Sequence, residues 1–167
     1  MNSDEQVRDL DARIRAVEDE LAVLRTITRY GLVVDTREAS LTGDLFTEDG
    51  VYDADAYAVM RGRNAIEEMA SDPRMPSSAH CIGPSVVAVD GDSATASGYS
   101  MTYRPQDGGV QLFRLSFNRW ELVRVDGASW RVARRVTRLV GSEEAERLFR
   151  QSLPGALGNA EPVLSPE

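Results

Sequence analysis

His80 is the one histidine in a chain of 167 residues, and its imidazole is the side chain whose ordinary titration suits proton transfer near neutral pH. It follows the polar stretch Pro76-Ser77-Ser78-Ala79 and stands just before an apolar run that opens at Ile82, so its ring is placed to enter the mouth of a sheet-lined pocket. There it would take a proton from carbon or return one to oxygen. A lone histidine serves equally well as a hydrogen-bonded loop residue, so its role depends on its neighbours.

Asp35 is the first such neighbour. It ends a helical stretch whose last turns, Ile27 to Val34, carry almost no charge, and a carboxylate among Gly31-Leu32-Val33-Val34 requires a partner. Bonded to one nitrogen of His80, it would fix the tautomer and stabilise the imidazolium. The alternative is that Asp35-Thr36-Arg37-Glu38 is the start of a second helix with Asp35 as its cap. Tyr30, one turn earlier, would offer a hydroxyl to the same cavity as acid or donor, or else serve as a core aromatic.

A last candidate is cationic. Strict alternation puts Trp130, Val132, Arg134, Val136 and Arg138 on one face of the final strand, and an arginine on an apolar face needs an anion or a polar ligand. Arg138 is thus a candidate to hold a substrate carbonyl or a departing group, against the alternative that it pairs with one of the 27 acidic residues at an exposed strand end. Arg131 and Arg135 fall on the opposite face and read first as solvent-facing. Tyr52, Tyr99, Met101, Phe117 and Trp120 supply the apolar lining or the core around such a pocket. Asp53 and Asp55 point alike, as the wet face of an edge strand. Cys81 forms no dyad with His80, because successive strand residues face opposite ways.

These residues need a scaffold, and the chain is long enough for one domain with a small cavity. From Val7 the apolar positions Leu10, Ile14, Val17, Leu21 and Leu24 step by threes and fours, which predicts a helix over Asp4–Val34. The stripe has a heptad period over about three repeats and fits packing on its own domain or on a neighbouring subunit better than a dedicated zipper. A second helix is expected over Arg37–Phe46, a turn at Glu48-Asp49-Gly50, a strand over Val51–Ala58 and a third helix from Gly62 through Met69.

From Cys81 onward the pattern is β, with strands over Ile82–Val89, Thr95–Tyr103, Val110–Val125 and Trp130–Val140, and glycine turns at Asp90-Gly91-Asp92 and Asp126-Gly127. A closing helix is read over Ser142–Gln151, and the Pro-, Gly- and Ala-rich tail over 152–167 as irregular. Helices first and a curved, mostly antiparallel sheet afterwards describe an α+β cone, with a pocket between the sheet and the first helix. One domain is expected over 1–151.

Composition excludes several partners. Lys and Arg number 19 against 27 Asp and Glu, a formal net charge of −8 that repels nucleic acid and anionic lipid. One cysteine and one histidine cannot close a structural zinc site, and no metal or organic cofactor is expected. No apolar run approaches the roughly 20 residues of a membrane helix, and the opening MNSDEQ reads as neither signal peptide nor anchor. A lone thiol suggests the cytoplasm.

The combination resembles the SnoaL-like branch of the nuclear transport factor 2-like superfamily. The likeness is carried by Arg29-Tyr30-Gly31-Leu32-Val33-Val34-Asp35, Phe46-Thr47-Glu48-Asp49-Gly50 and Arg61-Gly62-Arg63-Asn64-Ala65-Ile66, by His80 before a long strand, and by Val89-Asp90-Gly91-Asp92-Ser93-Ala94 and Asp126-Gly127-Ala128-Ser129-Trp130-Arg131-Val132. It implies a cone-shaped α+β barrel, commonly a homodimer or homotrimer. Within that superfamily the pairing of Asp35 with His80 is similar to that of dehydratases of the scytalone dehydratase and bile-acid 7α-dehydratase type. Tyr30 and Arg138 match two further positions of the latter, while a dehydrochlorinase-like pattern places the late arginine at Arg135. The resemblance implies a cofactor-independent lyase acting on a hydrophobic, ring-containing small molecule such as a steroid or polyketide. An isomerase, a cyclase or a non-catalytic binding protein are the alternatives.

Overall fold

A computed structural model describes residues 2–55, 59–127 and 129–156, the last four of these as backbone only. Helix α1 runs over Ser3–Thr36; the Asn2 amide donates to Glu5 Oε2 at 3.0 Å as part of a capping box, and the helix ends where Arg37 turns left-handed at φ 61°. A single turn, α2, occupies Ala39–Gly43, shorter than the Arg37–Phe46 helix expected. Strand β1 then starts at Phe46 and runs to Ala54, so Glu48-Asp49-Gly50 lies within a strand rather than in a turn. The anchor is Phe46, a fully buried side chain that the acidic pair obscured. Residues 56–58 of the expected strand lie outside the described residues, as does Ala128 of the second glycine turn.

Strand β2 is the two-residue edge Met60–Arg61, and α3 covers Arg63–Ala70. Gly62 joins them at φ 83°, a conformation that glycine alone adopts without strain. The meander follows as β3 over Ala79–Asp90, β4 over Ser93–Gln106, β5 over Gly109–Arg124 and β6 over Trp130–Leu139. Together they make one six-stranded sheet in the order β2-β1-β6-β5-β4-β3, antiparallel throughout except where β1 runs parallel to β6. Ser142 caps α4, which covers Glu143–Ala156 and so extends five residues into the segment read as irregular. The remainder of that tail, 157–167, lies outside the described residues. Among the described residues no helix is long and apolar enough to cross a membrane.

One face of the sheet carries the main core. Val23, Ile27 and Tyr30 of α1 pack with Phe46, Ile66, Ala96, Trp120, Leu122, Trp130 and Val132. Truncating one of the large aromatics, such as Trp120, would cost about 3–5 kcal/mol. The other face carries a smaller cluster under α4, made of Phe117, Val136 and Leu148. Trp130 and Val132 therefore face α1 whereas Val136 faces α4, a switch that strict alternation forbids. Its origin is a register shift in the β5–β6 pairing, where Leu122 pairs with Val132 but Glu121 pairs with Arg134. The extra residue in β6 moves Arg135 and Thr137 onto the α1 face and sends Arg134 and Arg138 to the α4 face.

Candidate active site

The last turn of α1 meets the first residues of β3. Gly31 makes this approach possible, because a Cβ there would overlap the carbonyl oxygen of His80. One turn further on, Asp35 meets His80 at two atoms. Its Oδ2 accepts the His80 backbone N–H at 2.8 Å, and its Oδ1 lies 2.6 Å from ring Nδ1. With Nδ1 engaged, Nε2 is the ring nitrogen left for chemistry. Both side chains keep about a quarter of their surface exposed, 24% for His80 and 25% for Asp35, so the pair sits at a mouth rather than in a sealed core.

His80 lines a cavity of about 80 Å³, walled by Tyr30, Val34 and Tyr52, by Met69, Met75 and Pro76, and by Ser100, Arg104, Phe113 and Arg135. This is room for roughly six water-sized positions. The wall is more polar than the expected apolar lining. Ser100, Thr102, Ser116 and Thr137 all face it, since the inward positions of β4, β5 and β6 in this half of the sheet are polar.

At the floor lies Arg135, 2% exposed and not solvent-facing as strand alternation implied. Its Nε and Nη2 donate to Asn118 Oδ1 at 3.1 and 2.8 Å, and Asn118 in turn donates to Ser100 Oγ at 2.8 Å. The guanidinium carbon lies 4.0 Å from the Tyr30 ring centroid, 4.2 Å from that of Trp120 and 4.8 Å from that of Tyr52. This aromatic box satisfies the cation's faces but leaves Nη1 without a hydrogen-bond partner. Among the described residues no carboxylate lies within ion-pair distance of it.

Tyr30 is 2% exposed, and burial, with Tyr52 beside it, pushes its phenol well above the usual tyrosine range. A phenol raised in this way stays protonated near neutral pH, and Tyr30 stands on the cavity wall. Tyr52 lines the cavity directly, whereas Trp120 is buried behind Tyr30 with ring centroids 5.5 Å apart.

Four sequence-derived positions lie elsewhere. Arg138 sits on the α4 face, its Nη2 2.8 Å from Asp53 Oδ1, and Asp53 also meets Arg134 at 3.3 Å. Asp53 is thus a half-buried counter-ion rather than part of a wet edge, and Asp55, more exposed at the end of β1, pairs with Arg114 and accepts the Leu139 amide at 2.7 Å. Tyr99 and Phe117 line a separate groove of about 410 Å³ against α4, where their rings meet edge-on at 5.6 Å. Met101, on the same side of β4 as Tyr99, takes the Tyr103 hydroxyl at 3.8 Å and is absent from the cavity wall. Sequence reasoning missed Asn118, Arg104 and the serine and threonine wall. Their signal was period-two polarity at Ser100 and Thr102 and at Ser116 and Asn118, opposite the aromatic face.

Residues 15–136 match the model of the SnoaL-like domain. A solved structure of a nuclear transport factor 2-like protein with a cystatin-like fold from Novosphingobium aromaticivorans is 35% identical, covers 85% of this chain and 96% of its own, and superposes with a TM-score of 0.80. Two further structures from that organism share the fold. A candidate aromatic ring hydroxylase is 23% identical over 75% of this chain and 92% of its own, with a TM-score of 0.66. A candidate scytalone dehydratase is 17% identical over 75% and 86%, with a TM-score of 0.64. No curated protein matches the sequence.

Proposed function

The chain belongs to the SnoaL-like domain family, with the nuclear transport factor 2-like fold, and on that premise we propose that the His80 cavity is the active site of a cofactor-independent lyase of the dehydratase type. The observation that carries this reading is the 2.6 Å contact between Asp35 and His80 Nδ1 at the mouth of a cavity floored by Arg135. The substrate is a small ring-containing molecule with an acidic C–H beside a carbonyl, set between the aromatic walls of Tyr52 and Phe113.

His80 Nε2 takes the proton from carbon, and the electron pair moves toward the carbonyl oxygen, where Arg135 and the Tyr30 hydroxyl stabilise the developing charge. The pair then collapses to a carbon–carbon double bond as the β-hydroxyl leaves. The imidazolium returns its proton to that hydroxyl, which departs as water. Asp35 balances the imidazolium in between. Arg135 takes the late-arginine role here, because Arg138 faces the other side of the sheet.

Deuterium uptake at the α-carbon of small cyclic β-hydroxyketones, followed by NMR with loss of water, tests the first step. Uptake is expected with the native protein and is expected to fall about 10²–10⁴-fold in His80→Ala. Equal uptake in the variant would overturn the mechanism.

A further inference from the structure

The cavity wall is cationic in a chain whose formal net charge is −8. Three arginines line it, and only Arg114 has its charge met, by Asp55. Arg135 is held by a neutral amide. Arg104 is stacked on Phe113 with its guanidinium carbon 3.3 Å from the ring centroid, and its Nε is buried with no hydrogen-bond partner. Among the described residues Arg104 has no carboxylate within 4 Å. Keeping two unmatched guanidinium groups in one small cavity is costly unless a ligand supplies the charge. A local positive field inside an acidic protein also draws anions toward the cavity.

We propose that the substrate is a small anion, with a carboxylate that docks on Arg104 while its carbonyl meets Arg135. The geometry of the reading above is its starting point: one end of the molecule lies under His80 for reaction and the other is read by charge. The aromatic face of Phe113 fixes the Arg104 guanidinium in one plane, which suits bidentate pairing with a carboxylate. At about 80 Å³ the cavity is small, so a short acid, or the acid-bearing end of a single ring entering at the mouth, suits it better than a fused polycycle.

Benzoate and benzamide, alike in shape and different in charge, are the probes, with binding followed by titration calorimetry and by the NMR signal of the one histidine. Benzoate is expected to bind about ten- to a hundredfold more tightly. Arg104→Gln is expected to abolish that preference and Arg134→Gln, on the other face, to keep it. Equal binding of the two probes, no saturable benzoate binding in the millimolar range, or a preference that survives Arg104→Gln would each overturn the proposal. Because the readout needs no turnover, a benzoate preference without His80-dependent deuterium uptake would sink the lyase reading and leave this one standing.

The first half of α1 supports an independent inference. Residues 2–18 are all exposed, and along this half of the helix Val7, Leu10, Ile14, Val17 and, just beyond, Leu21 keep 44–57% of their surface in solvent. The stripe is rotated by roughly two-fifths of a turn from Val23, Ile27 and Tyr30, the residues that hold the helix to the sheet. Nothing in the chain covers it among the described residues, and residues 2–14 precede the part that matches the family. With Val7, Ile14 and Leu21 at a and Leu10 and Val17 at d, the flanking g and e positions hold Arg13, Glu20, Glu18 and Arg25, while Leu24, the next d position, packs against the core of its own domain. In a parallel, in-register pair Arg13 faces Glu18 and Glu20 faces Arg25 of the other copy, so every such charged contact is attractive. An antiparallel pair brings Asp11 against Glu18.

We infer that a second copy of this chain covers the stripe as a parallel two-stranded coiled coil. Light scattering on the full chain is expected to show a dimer, which Leu10→Glu with Val17→Glu converts to monomer without loss of helix or of melting temperature. Arg13→Glu is expected to weaken the dimer and Arg13→Glu with Glu18→Arg to restore it. A native monomer, a dimer indifferent to the stripe, or no recovery in the charge-swapped pair would overturn it.

Discussion

Gly31 packs directly against the backbone of His80, with no space for a β-carbon between α1 and β3. That contact sets how close the end of the helix comes to the strand, and Asp35, one turn along, reaches His80 because of it. Gly31→Ala is expected to push the helix outward and cost about 1–3 kcal/mol of stability through overpacking. The larger effect is on the dyad. Proton abstraction should fall at least tenfold, since reactions of this kind tolerate little misplacement. Melting temperature and deuterium uptake measured together check it; unchanged uptake would detach the glycine from the site.

As the one histidine, His80 is observable without interference. Its neutral form is expected to carry the proton on Nδ1, donated to Asp35, with Nε2 bare. Imidazole nitrogen shifts report this directly. In Asp35→Asn the tautomer preference should weaken and uptake should drop by about 10²–10⁴-fold, following the role of an orienting carboxylate. A native spectrum with the proton on Nε2 would contradict the assigned base.

Arg135 and Arg138 are three residues apart and lie on opposite faces of the sheet. Arg135→Lys is expected to lose most of the uptake, because a lysine cannot clasp Asn118 Oδ1 with two donors and stack flat among three rings. Arg138→Gln should leave uptake within about twofold, and lower stability by leaving Asp53 partly unpaired. The reverse pattern in steady-state kinetics would mean that the reaction lies on the α4 face.

This pair also shows what was legible in the sequence. Residue type and spacing pointed to His80 and Asp35, since a charge ending an apolar helix needs a partner wherever the fold brings one. Strand periodicity placed the elements of the meander to within a few residues. It failed at β6, because a bulge leaves no local mark in Val132-Ala133-Arg134 and reverses every later side chain. The expectation that Tyr99, Met101 and Phe117 line the pocket failed for a different reason. Large apolar residues suggested an inner face, but the cavity needed the smaller polar ones, and the aromatics cover the ground beneath α4. The stripe on α1 was visible as a pattern. Only the fold shows that its own domain leaves it bare.

Asp19 and Arg124 mark where α1 leaves the body of the protein. Their side chains meet through two bonds, at 2.7 and 2.9 Å, and Arg124 also reaches Asp92 at 2.9 Å and stacks over Trp130 at 4.5 Å. The hydrogen bond from Arg124 holds the Asp19 carboxyl below the usual carboxylate range. A carboxyl whose pKa is depressed in the folded state contributes stability above its unfolded value, about 3.9, and loses it as pH falls through the folded value. Asp19→Asn is therefore expected to melt below the native protein at pH 7, with the gap closing as pH drops from about 5 toward 2. Added salt should narrow the gap at neutral pH, since about a fifth of each side chain remains exposed, 20% for Arg124 and 21% for Asp19. Thermal melts across that pH range decide it. A gap that stays constant with pH would show that the variant acts by lost packing against Trp130, with no part for the ionised pair.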